Sequence, residues 1–154
     1  MSLAADYAAH LARQDQAVQD FVDVLERERD VLAGRPVAYA ALASLTETKS
    51  GQAEALESLE RARRELADNA RADSDASDAE LAEQLGCGEL WARMSARVAH
   101  ARNQNAINGV AINTRLDHTE ARLNFLRRNA SGSLYAANGQ RSPSTGAGRL
   151  RGGA

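Results

Sequence analysis

Three histidines, one cysteine and a run of four asparagines are the side chains of this 154-residue chain with chemistry to offer. His10, His100 and His118 are too far apart for metal binding: the last two stand 18 residues, or about five helical turns, apart, whereas a zinc site on a helix needs a partner one turn away and further ligands close by. They are expected as surface or boundary residues. Cys87, between Gly86 and Gly88, has no histidine near it in sequence to draw off its proton, which makes it a structural loop cysteine rather than a nucleophile. Paired carboxylates fall only on charged outward faces with no pocket to shift their pKa, and no glycine-rich phosphate loop is present. No catalytic, metal or cofactor site is expected.

Asn103, Asn105, Asn108 and Asn113 form a more informative pattern. An amide donates and accepts at once. Such residues in an otherwise apolar stripe either form a polar layer that sets helix register or hydrogen-bond a partner segment. Gly109 follows Asn108 and lets another backbone approach. Ile107, Val110 and Ile112 surround that glycine on more than one face, which points to two contacts: one with the parent bundle, one in a groove that accepts an amphipathic helix. A charge at Ile112 or Leu116 is accordingly expected to block partner binding while the helix persists.

A long helix must carry these residues. Leu90, Met94, Val98, Ala101, Asn105, Asn108, Ile112, Leu116, Thr119, Leu123 and Leu126 recur at steps of three and four, the spacing of one helical stripe. About 40 residues at ~1.5 Å rise make a rod roughly 60 Å long, which cannot cover its own stripe. Its partners read out of the preceding chain. A first helix over 3–33 carries Leu3, Tyr7, Leu11, Gln14, Val18, Phe21, Leu25, Glu28 and Leu32, closed by Gly34 as a left-handed cap, with Pro36 in the opening turn of the next helix. A second helix over 37–71 shows the same register, interrupted by Lys49, Gln52 and Arg63, which predicts a partly solvated seam, and is weakened in its middle by Gly51. Ser77 and Glu80 form a capping box that opens a short helix over 78–86, and the long helix follows over 89–128.

The expected fold is all-α: an elongated antiparallel bundle or coiled coil of three helices with a short helical insert, spanning 1–128, and a flexible tail over 129–154. Aromatics are 4% of the chain, so the core is expected to be thin. The formal charge is −2, and the tail contributes Arg141, Arg149 and Arg151 without an acid, leaving −5 on the body. That argues against nucleic acid, which calls for a basic stripe. No run approaches the ~18 apolar residues of a membrane span, and the N-terminus has no apolar signal core, so no membrane insertion and a cytoplasmic location are expected. In the tail, Leu134 and Tyr135 stand alone as an apolar–aromatic pair, a pattern of short docking motifs.

The segment N-Q-N-A-I-N-G-V, its charged amphipathic continuation and the tail S-L-Y-A-A-N-G together resemble the FlgN family of flagellar type III export chaperones. The resemblance covers length, three-helix layout, the Arg-Asn…Asn-Gly segment of the last long helix, and a tail tyrosine followed shortly by glycine, here Tyr135 and Gly139, with Ala136 where glycine is common. It implies a chaperone for the C-terminal helices of the hook–filament junction proteins FlgK and FlgL, which keeps them unassembled and delivers them to the export gate protein FlhA. It also implies cargo contact at Asn105, Ile107, Asn108, Gly109, Ile112, Leu116 and Leu123, and gate docking at 134–139 through Leu134, Tyr135 and Gly139. The alternative is a structural coiled-coil protein whose heptads pair with themselves, a homodimer.

Overall fold

The structure is a computed structural model and describes residues 2–116 and 127–128. Every described element is helical: α1 (Leu3–Ala33), α2 (Tyr39–Arg71), α3 (Asp78–Gln84) and α4 (Gly88–Leu116). Sequence dictates the ends. Ser2 caps α1, its hydroxyl accepting from the Ala5 amide, and the expected Ser77–Glu80 box caps α3 with both reciprocal bonds in place. Gly86, at φ +75, takes the left-handed turn that separates α3 from α4, a conformation glycine adopts without a Cβ penalty.

Two boundary expectations are corrected. Gly34 closes α1 with extended backbone, its amide reaching the Val31 carbonyl, so it is no left-handed cap. Pro36 lies in the connection, after a cis Arg35–Pro36 bond, and α2 begins only at Tyr39.

α1 is the central element. It packs along both α2 and α4, whereas the backbones of α2 and α4 make no close approach to each other. Pairings run in opposite order along α1 and α2: His10 meets Leu59, and Glu28 meets Lys49. The interior is three apolar clusters in series. Tyr7, Leu11, Ala67, Leu81, Cys87 and Met94 form the first, where α3 closes one end. Val18, Phe21, Leu25, Ala53 and Ala101 form the middle one. Leu32, Leu42 and Ile112 form the third. Polar residues occupy the same stripes between the clusters, so the core is interrupted in two layers that cross from helix to helix.

The seam expected to be solvated at Lys49 and Arg63 is instead buried, each residue only 2% exposed, because each is paired across the bundle. His10 is likewise interior, its Nε2 2.8 Å from the Leu59 carbonyl oxygen, rather than at the surface. His100 is exposed, and His118 lies outside the described residues. Cys87 sits in the first cluster, where burial pushes its thiol pKa up, against nucleophilic use. Among the described residues no helix is long and apolar enough to cross a membrane.

Candidate functional site

Because α2 and α4 flank α1 without meeting, a groove is left between them with α1 as its floor. Its volume is about 420 Å³. Gln14, Val18 and Phe21 line the floor, Ala53, Leu56, Glu60 and Arg64 one wall, and Trp91, Met94, Ser95, Val98, Ala99, Ala101, Arg102 and Asn105 the other. The small residues at 53, 95, 99 and 101 leave the space open, since facing large side chains at those positions would fill it. Side chains bridge the walls at both ends. At one end the Arg63 guanidinium lies 4.9 Å from the centroid of the Trp91 ring. At the other, Lys49 Nζ donates to Asn105 Oδ1 at 2.8 Å.

The bridge at Lys49 belongs to a polar layer that joins all three long helices. Lys49 Nζ is 3.0 Å from Glu28 Oε1. Asn108 Nδ2 donates to the same oxygen at 3.0 Å and to the Leu25 carbonyl at 2.9 Å, while its Oδ1 accepts from Gln104 at 2.9 Å. Burial lowers the Lys49 pKa, and the Glu28 carboxylate opposes that shift. The bridge at Arg63 is denser. Arg63 holds Glu60 through two bonds of 2.9 and 2.8 Å, reaches Asp78 at 3.2 Å, and donates to the Tyr7 hydroxyl at 3.3 Å. Its hydrogen bonds hold the Glu60 carboxyl down to about 2, with burial opposing and Gln14 and Arg64 assisting. Burial pushes Asp78 up, but Arg71 and Arg63 overcome it, and its pKa is lowered.

The expected cargo residues divide across this framework. Asn105 is half-buried at the end of the groove. Ile107 is 52% exposed, and Val110, one turn on, is 63% exposed, so the second apolar face read from the sequence is open to solvent. Asn108, Gly109 and Ile112 are buried. The expectation that a charge at Ile112 would spare the fold is corrected by its 2% exposure against Leu32 and Leu42. Leu116 ends α4, and Leu123, Leu134, Tyr135 and Gly139 lie outside the described residues.

Sequence reading set its groove around Gly109 and missed this one, and although it put Glu28 on the apolar stripe of α1 it did not foresee the buried pair that Glu28 makes with Lys49. The signal for Glu28 was its own register: it falls on the apolar stripe of α1, three residues after Leu25 and four before Leu32, and meets Lys49 and Asn108 there. The arrangement has no titratable pair facing the groove beyond Glu60, which its arginines already neutralise, and among the described residues no group of His, Cys, Asp or Glu could hold a metal ion. What it can do is bury the side chains of another segment.

A protein-family model described as FlgN protein matches residues 1–143 of the chain. Comparisons with curated proteins and with solved structures find no match.

Proposed function

The chain belongs to the FlgN family of flagellar type III export chaperones, and from that premise we propose that it binds the C-terminal helical segments of the hook–filament junction proteins FlgK and FlgL in the cytoplasm. Held there, these segments cannot assemble prematurely, and the complex is delivered to the cytoplasmic domain of the export gate protein FlhA. The observation that carries the reading is the family match across 143 residues. An all-helical body with an open groove and a solvent-facing Ile107 supports it, since both surfaces suit an amphipathic helix better than a small-molecule reaction.

In this reading residues 1–128 form the chaperone body and 129–154 a flexible tail. Asn105, Ile107, Leu116 and Leu123 meet cargo, while Asn108, Gly109 and Ile112 hold that length of α4 from beneath. Leu134, Tyr135 and Gly139 dock on the gate. Cargo that folds as it binds loses conformational freedom, which keeps affinity moderate and permits release.

Titration calorimetry of the full chain against C-terminal peptides of FlgK and FlgL tests the proposal. Saturable one-to-one binding with a negative heat-capacity change is the expected result. No binding, together with a tight dimer in ultracentrifugation, would replace it with the self-pairing coiled coil.

A further inference from the structure

The groove between α2 and α4 runs along α4 from Trp91 to Asn105, so it meets the asparagine segment only at its end and is built differently from it. Phe21 on the floor, Leu56 on one wall and Val98 on the other give it an apolar lining. Its rims are cationic. Arg64 stands on the α2 side with its side chain 72% exposed. Arg102 stands opposite on α4, exposed and with no ion pair among the described residues. Glu60 accepts two bonds from Arg63 and one from Arg64, and Arg63 is paired with Asp78 as well, so the guanidinium groups that remain open to a partner's carboxylate are those of the exposed Arg64 and Arg102, one on each rim. This stands out on a chain whose formal charge is −2. A cavity of about 420 Å³ takes a few large side chains, not a whole helix.

We propose that this groove takes one apolar ridge of an amphipathic helix whose flanking positions are acidic, so that the ridge lies on Phe21, Leu56 and Val98 while its acids face Arg64 and Arg102. The spacing follows from helix geometry: residues at i, i+3 or i+4 and i+7 make the ridge, and positions to either side point at the two rims. The groove selects against helices with basic flanks, since like charges across a rim are repelled. That the helix comes from an export cargo rests on the chaperone reading; the groove's preference for acid-flanked helices does not.

Trp91 lines the groove and is the one tryptophan of the chain, so its emission reports occupancy directly. The test titrates the full chain with two tryptophan-free synthetic amphipathic peptides sharing a leucine ridge, one flanked by glutamates and one by lysines. The acid-flanked peptide is expected to shift Trp91 emission saturably, and its lysine twin to bind at least tenfold more weakly. Arg64→Glu with Arg102→Glu is expected to reverse that preference, and Ser95→Phe, which fills the groove, to abolish the shift with circular dichroism unchanged. Equal binding of both peptides, no shift with either, or indifference to the double reversal would overturn the inference. An emission shift that depends on protein concentration alone would also overturn it, in favour of a second copy of this chain. In parallel, calorimetry with the FlgK and FlgL peptides separates the two levels. Cargo binding that the double reversal and the filled groove leave unchanged sinks the groove but keeps the function. No cargo binding by the native chain sinks the function, while the synthetic peptides still judge the groove.

Discussion

Lys49 and Glu28 form an ion pair 3.0 Å apart with side chains 3% and 0% exposed, and the pair sits in the same layer as Asn105 and Asn108. A buried pair of this kind contributes little net stability against apolar residues of the same shape, but losing one partner strands the other. Lys49→Met is therefore expected to destabilise the chain by about 3–5 kcal/mol in urea unfolding. The double variant Lys49→Met with Glu28→Leu should recover much of that loss. A double variant as unstable as the single would mean that the pair itself, not the orphaned carboxylate, carries the energy.

The asparagine segment separates into residues that build the bundle and residues that face out. Asn108→Ala removes the donor to Leu25 and Glu28 and is expected to cost about 1–3 kcal/mol of stability. Ile112→Ala, emptying the third cluster, should cost about 2–5 kcal/mol. Ile107→Asp, on the exposed face, should stay within about 0.5 kcal/mol of the native chain while weakening cargo binding. Paired measurement of unfolding and calorimetric affinity checks all three.

Gly51 lies inside α2, exposed, with nothing within 4 Å of where a Cβ would stand. Gly51→Ala should raise stability by about 0.5–1 kcal/mol, because alanine loses less backbone freedom in a helix. A shift of the urea midpoint upward at unchanged slope is the expected signature.

Acid should act through Glu60. Its folded pKa of about 2 lies below the ordinary 4.5, so its contribution is present above pH 4.5 and is lost as pH falls from there toward 2. Its side chain is 33% exposed, so solvent screening reduces the effect to on the order of 1–2 kcal/mol. Glu60→Gln should be less stable at neutral pH and should lose less than the native chain between pH 4.5 and 2. Parallel acid-unfolding curves for the two proteins would refute the assignment.

Tyr135→Ala tests the proposed division of labour between body and tail. Cargo affinity is expected to stay unchanged while binding to the cytoplasmic domain of FlhA falls at least tenfold in a pull-down or calorimetric titration. Equal loss of both would place the tail in the cargo site.

The sequence by itself determined the helices and which side of each faces inward. Leu42 on one helix, and Met94, Ala101, Asn108 and Ile112 on another, are buried where the three-four spacing puts them, because that spacing is a property of the helix alone, while Thr46 is buried where the stripe pointed to Leu45. The capping box at Ser77 and Glu80 was legible for the same reason: both partners are three residues apart. What only tertiary structure decided is how the polar interruptions are satisfied. Lys49, Glu28 and Asn105 lie on three different helices, separated by 21 and 56 residues, and no local pattern says that they meet. Alone, Lys49 reads as a solvated break in its stripe and Asn105 as a polar layer or a partner contact; together with Glu28 they become one interior layer. The groove has the same origin: it exists because α1 separates α2 from α4, a relation between helices that no helix carries in its own residues.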